Sequence, residues 1–149
     1  MLRVFIENEA GSDLKHHHDE VTLTFLRTER VGAAYPFPYG FIPGTRAPDG
    51  DCVDCFVITG RPLRTGDLVD CEPFGLMEQT EGGFVDHNVL AVPVGEGLPD
   101  LEVLRPLLTR FAQEVFAGLP GREVTVGRFL PAEAAWAYLE AGAADPRPG

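Results

Sequence analysis

Three carboxylates, Asp49, Asp51 and Asp54, stand within six residues around a single glycine, directly ahead of the apolar run Cys52 to Thr59. Like charges at that density repel, so a fold that gathers them supplies a cation, and carboxylate oxygens with room for water suit Mg²⁺. Pro48-Asp49-Gly50 also has the composition of a turn. A turn accounts for Asp49 but not for Asp51 and Asp54 at the start of a strand, where aspartate is disfavoured. An EF-hand loop is excluded, because its alternating Asp run and closing glutamate are missing. Just upstream, Tyr35 to Pro43 carries three prolines and one glycine. That density argues against a helix or a central strand and predicts a rigid loop.

The formal charge of −11 over 149 residues argues against nucleic-acid binding and makes a bare anionic substrate a poor partner. Divalent cations would resolve that conflict by neutralising carboxylates and substrate together. The length suits one domain, residues 1–149. No apolar run approaches the ~20 residues of a membrane helix, and Glu7 and Glu9 interrupt any signal-like start, so a cytoplasmic location without membrane contact is expected. Three cysteines fit a reducing compartment. Cys52 and Cys55, with Cys71 and a histidine, have the makings of a zinc site. On a strand, however, residues three apart face opposite ways, which favours cysteines used as small buried hydrophobes.

Along the chain, Leu2 to Ile6 predicts a first strand and Ala10 to Asp13 a turn. His16, His17 and His18 are expected in a solvated loop, and Val21 to Leu26 as a half-buried strand. Strands follow over Cys52 to Thr59 and from Asp67 to Glu72. A hairpin of Gly75 to Glu78 with Phe84 to Val94 closes around Glu81-Gly82-Gly83. The apolar stripe at 107, 108, 111, 115 and 116 predicts a helix over 106–118 with proline in its first turn. Glu123 to Phe129 is a last strand, Pro131 to Ala143 a short helix, and residues 145–149 a disordered end. Strands early and two helices late make an α+β protein with a mostly antiparallel sheet.

The block Tyr35-Pro36-Phe37-Pro38-Tyr39-Gly40-Phe41-Ile42-Pro43, followed by Asp49-Gly50-Asp51-Cys52-Val53-Asp54, resembles the soluble family I inorganic pyrophosphatases. Their signature is Asp-Xaa-Asp-Pro-hydrophobic-Asp behind a Tyr-Pro-Xaa-Xaa-Tyr-Gly block. The resemblance implies a closed, OB-like antiparallel barrel flanked by two C-terminal helices, and Mg²⁺-dependent hydrolysis of inorganic diphosphate to two phosphates. It assigns Asp51 as general base. Asp49, Asp54, Asp86, Glu81 and Glu7 would be metal-associated, and Lys15, Arg27 and Tyr39 would hold the substrate. Lys15 is the only lysine of the chain. A homo-oligomer, commonly a hexamer in bacterial members, is implied as well.

Departures from the family pattern are concentrated on the phosphate-facing side. His17 stands where a metal-associated glutamate is usual, Gly82 replaces an acidic residue, Asn88 a lysine, and Phe116 and Ala117 a tyrosine and a lysine. Arg110 or Arg122 could restore the lost charge only by reaching in from elsewhere. The alternatives are therefore a weakened relative that binds Mg²⁺ and phosphate compounds, and a hydrolase of a larger phosphoanhydride. The cysteine and histidine zinc module ranks last.

Overall fold

A computed structural model describes residues 1–143. Its elements in chain order are β1 (Leu2–Asn8), β2 (Leu14–His18), β3 (Phe25–Arg30), β4 (Tyr39–Ile42), β5 (Val53–Val57), β6 (Leu68–Glu81), β7 (Phe84–Val85), β8 (Asn88–Pro93), α1 (Leu101–Val115), β9 (Val124–Pro131) and α2 (Ala132–Ala143). β2 and β3 form a separate hairpin; the other seven strands make one mixed sheet in the order β1-β4-β5-β8-β6-β7, with β9 also on β6. β1 pairs with β6 too, so the hydrogen-bonded neighbours run β1, β4, β5, β8, β6 and back to β1. The β5–β8 pair is parallel and the remaining pairs are antiparallel.

β8 reads Asn-Val-Leu-Ala-Val-Pro and is buried at every position. A strand with two covered faces needs such an unbroken apolar run. Its Val89 and Ala91 join one core with Val53, Cys55 and Val57 of β5 and Ala135 and Leu139 of α2. The intervening Leu90 and Val92 join a second core with Phe56 and with Leu104, Leu108, Phe111 and Val115 of α1. The period-two side-chain alternation of β5 and β8 thus assigns one face to each helix. Asp54 shares the face of Phe56, the one on which α1 packs.

Several sequence expectations need correction. Tyr39–Ile42 is not part of a loop but a central strand, bonded to β1 and β5. Pro38 and Pro43 sit just outside it, so no ladder donor is lost. Gly40 is required there, since a Cβ would collide with the Phe5 carbonyl of β1. The three histidines belong to β2, half-buried, and not to a solvated loop. β3 starts only at Phe25 and is largely exposed, because Asp19 Oδ1 accepts from the backbone N–H groups of Val21 and Thr22, both at 2.9 Å, and turns the chain first. β6 continues for 14 residues through Pro73 and Gly75, with a register shift there against β8, where two shorter strands were expected.

α1 begins at Leu101, because Asp100 caps it by accepting the N–H of Glu102 at 2.9 Å. Pro106 consequently lies in the second turn and not the first. β1, β5, β9, α2 and the hairpin turn at Gly82 and Gly83 fall close to their expected places. Cys55 and Cys71 are buried as expected of small hydrophobes, whereas Cys52 is only half-buried. The expected disorder of residues 145–149 lies outside the described residues. Among the described residues no helix is long and apolar enough to cross a membrane.

Candidate active site

The face of the sheet carrying Asp54 opens into a cavity of about 560 Å³ between the β2–β3 hairpin, the loop before β5, and the C-terminal end of α1. All nine residues singled out from the sequence line it: Glu7, Lys15, Arg27, Tyr39, Asp49, Asp51, Asp54, Glu81 and Asp86. They come from seven separate stretches of chain, so their meeting is a product of topology rather than of local sequence. β4 carries Tyr39 beside β5, and the parallel β5–β8 register sets Asp54 opposite Asn88, two residues past Asp86.

Asp54 and Asp86 form the centre. Burial and the neighbouring Asp86 carboxyl hold the Asp54 carboxyl far above the usual carboxylate range. Burial, with Asp49 and Glu81 nearby, pushes Asp86 up to about 6. Two carboxylates confined together ionise fully only when a cation replaces the proton between them. Tyr39 interacts with Asp54, and burial together with Asp54 and Asp86 keeps its hydroxyl protonated. Burial opposes the charge of Lys15, but Tyr35, Asp54 and Glu7 outweigh it and raise its pKa. Its Nζ lies 5.3 Å from the centre of the Tyr39 ring.

Asp51 is exposed at the rim, and partial burial and Asp49 raise its carboxyl pKa. Its backbone N–H donates to Asp49 Oδ1 at 3.0 Å, an Asx-type turn. Glu7 is buried and accepts from the backbone N–H of His18 at 3.0 Å and lies 3.1 Å from His18 Nδ1. Desolvation nevertheless raises its pKa. Arg27 is exposed, pairs with His17 in the β2–β3 ladder, and its guanidinium makes no hydrogen bond to another described residue.

Carboxylate oxygens dominate the donors of the cleft, the imidazoles of His17 and His18 lying against Glu29 and Glu7, and that oxygen-rich set fits a hard cation. Among the described residues, no group of three or more His, Cys, Asp or Glu is gathered closely enough to hold an ion by itself. The crowded Asp54 and Asp86 pair is where positive charge is most needed.

Sequence reasoning missed Glu20, and it named Arg122 beside Arg110 only as a charge that would have to reach in from elsewhere. Glu20 lines the cavity and accepts from the backbone N–H of Cys52 at 2.8 Å. No local pattern links a turn glutamate to an amide 32 residues away. Arg122 also lines the cavity, whereas Arg110 is exposed and pairs with Glu114 on the same helix. The departures are placed as well. Asn88 is buried and donates through Nδ2 to Gln79 Oε1 at 3.0 Å. A side chain at Gly82 would strike the Gly121 carbonyl, and the Phe116 ring lies beneath the Arg122 guanidinium at 3.7 Å.

Fold and cleft together define an α+β domain whose sheet presents an acidic pocket into which a few cations project. The chain belongs to the inorganic pyrophosphatase family, whose model, described as Inorganic pyrophosphatase, matches residues 4–118. The inorganic pyrophosphatase of Nanoarchaeum equitans is 33% identical over 141 residues, covering 88% of each chain. That of Synechocystis sp. is 38% identical over 96 residues, 62% of this chain and 56% of the relative, so the match spans about half of that protein's length. The crystal structure of inorganic pyrophosphatase from Thermus thermophilus superposes with a TM-score of 0.85 at 27% identity, over 95% of this chain and 88% of the other.

Proposed function

We propose that this chain hydrolyses inorganic diphosphate to two phosphates with the help of Mg²⁺. The observation that carries the reading is the convergence of Asp49, Asp51, Asp54 and Asp86 with Lys15 and Tyr39 in one cleft of a pyrophosphatase-family fold. The ring of strand pairings supports describing the sheet as a closed, OB-like barrel. A cytoplasmic homo-oligomer, hexameric as in bacterial relatives, completes the proposal.

Hydrolysis adds water across the P–O–P bridge: the water oxygen bonds one phosphorus, and the bridging oxygen leaves with its electron pair on the other phosphate. Asp49, Asp54 and Asp86, with Glu81 and Glu7 behind them, would hold Mg²⁺, which supplies charge neutralisation and a more acidic water. Asp51 at the rim takes the proton of the attacking water, and its raised pKa makes it a better base than an ordinary aspartate. Lys15 and Arg27 hold phosphate oxygens. Tyr39, kept protonated, donates a hydrogen bond toward the cleft and fixes Asp54. Asn88, tied to Gln79, brings no charge, so fewer cations face the departing phosphate.

The test is phosphate release from diphosphate by the purified chain with and without Mg²⁺, beside Asp51→Asn. Turnover that needs Mg²⁺ and falls by about 10²–10⁴ in the variant is expected for a lost general base. Mg²⁺-dependent binding of diphosphate without turnover would replace the reading by that of a binding protein.

A further inference from the structure

Among the described residues, the cleft opposes eight carboxylates with three permanent cations, Lys15, Arg27 and Arg122. Arg122 comes from the loop between α1 and β9, and nothing in its local sequence marks it for the site. Its guanidinium carbon stands over the Phe116 ring, 3.7 Å from the ring centre, and its Nη1 reaches Glu29 of β3 at 3.3 and 3.5 Å. Glu29 is shared, since His17 Nε2 lies 3.2 Å from the same carboxylate. Stacking and a carboxylate clamp together preorganise a guanidinium fork. Among the described residues, its Nε and Nη2 make no hydrogen bond to the protein. A half-satisfied fork held at the wall of an acidic cleft is set up for an anion from solution.

The surroundings are shaped for it. Residue 82 has no room for a side chain because the Gly121 carbonyl occupies that space, and the Gly82 N–H bonds the Glu123 carbonyl at 2.9 Å. The loop carrying Arg122 is therefore stapled to the β6–β7 turn, while Phe116 supplies the floor. Gly82 and Phe116, which seem in the sequence to be losses, are parts of one arginine mount.

We infer that Arg122 is a substrate-binding residue whose free guanidinium edge takes a terminal phosphate oxygen of the substrate, with Phe116 and Glu29 as its positioning residues. The inference rests on the diphosphate reading, and it accounts for how a cleft with few cations retains the substrate. A plain salt bridge tying β3 to the α1–β9 loop is the competing explanation. It makes a different prediction for Glu29, because removing the clamp's charge leaves a substrate-binding arginine its phosphate contact at some loss of order but abolishes a structural pair.

The experiment measures KM and kcat for Mg²⁺-diphosphate, Kd for the non-hydrolysable imidodiphosphate by calorimetry, and Tm, in wild type, Arg122→Gln, Arg122→Lys, Glu29→Gln and the distant control Arg110→Gln. Loss of a charged, two-pronged contact should raise KM and Kd about ten- to a hundredfold in Arg122→Gln. Arg122→Lys should recover part of the loss, Glu29→Gln, which weakens the clamp but leaves the guanidinium in place, should raise Kd severalfold and so by less than Arg122→Gln, and Arg110→Gln should stay near wild type. An Arg122→Gln protein within twofold of wild type in Kd overturns the inference. So does a loss matched by Glu29→Gln together with an equal fall in Tm, which is the signature of a structural pair. Absence of wild-type turnover overturns the hydrolase reading alone, since imidodiphosphate binding still judges Arg122; a wild type that binds no imidodiphosphate overturns both.

Discussion

The carboxylate of Glu20 accepts the backbone N–H of Cys52 at 2.8 Å, which ties the turn after β2 to the loop that presents Asp49 and Asp51. Burial and the nearby Asp51 raise the Glu20 pKa, so the bond forms in a partly desolvated place where its loss is felt. Glu20→Ala should cost about 1–3 kcal/mol in urea unfolding and lower kcat about tenfold by loosening the rim that carries the proposed base. Glu20→Gln keeps an acceptor oxygen and should recover most of both. Equal losses in the two variants would show that the charge, and not the bond, is what the site uses.

Gly40 sits where β4 passes β1, and a Cβ there would overlap the Phe5 carbonyl. Backbone cannot rotate out of the way as a long side chain can. Gly40→Ala should therefore destabilise the fold by about 1–3 kcal/mol, the usual cost of overpacking. Gly44, whose Cβ would meet nothing within 4 Å, has a φ of +80° and offers a contrasting case, strained by conformation alone. Comparison of their urea midpoints against wild type checks the assignment: Gly40→Ala with a wild-type midpoint would mean that the strands can separate.

Much of this architecture was legible before any coordinates. Local signals sufficed for β1 and β5, where an apolar run coincided with burial, and placed β9 and α2 close to their observed bounds. They failed where tertiary pairing overrode composition. Prolines at 36, 38 and 43 suggested a loop, yet Tyr39–Ile42 between them is free of proline and is held by ladders on both sides. The histidine run looked solvated, but Glu7 grips His18 and Asn8 Oδ1 accepts the His16 N–H at 2.7 Å. Likewise the positions read from the family motif all line one cleft, while Glu20 was invisible and Arg122 could not be told from Arg110, because each acts through a partner distant in sequence.

Glu78 of β6 provides a pH-dependent contribution away from the cleft. Its carboxylate accepts from Arg128 Nε at 2.8 Å, Nη2 at 3.0 Å and the backbone N–H at 3.0 Å, and these bonds lower its pKa from 4.5 to about 2. A depressed folded-state pKa stabilises above the unfolded value and loses that stability as pH falls through the folded one. The contribution should thus be complete above about pH 4.5 and decline toward pH 2. Arg128 is exposed, so screening keeps the effect small and salt-sensitive. Glu78→Gln should lower Tm slightly at about pH 6 and show a shallower fall between about pH 4.5 and 2.5. Parallel curves for the two proteins would remove the pair from the stability balance.

The crowding of Asp54 and Asp86 makes metal binding measurable without any substrate. Both carboxyls are pushed up by burial and by neighbouring acids, so a divalent cation that joins them relieves a cost built into the fold. A ligand bound only by the folded state raises stability by about 2.7 kcal/mol at a hundred times its Kd. Mg²⁺ should accordingly raise Tm with a saturable dependence, and EDTA should reverse it. Asp86→Asn removes one of the repelling charges and one proposed metal ligand at once. Its metal-free Tm should equal or exceed that of wild type, while most of the Mg²⁺-dependent increase disappears. An undiminished increase in Asp86→Asn would place the stabilising ion elsewhere in the cleft, and a metal-free Tm well below wild type would mean that Asp86 holds the fold through its hydrogen bond rather than straining it through its charge.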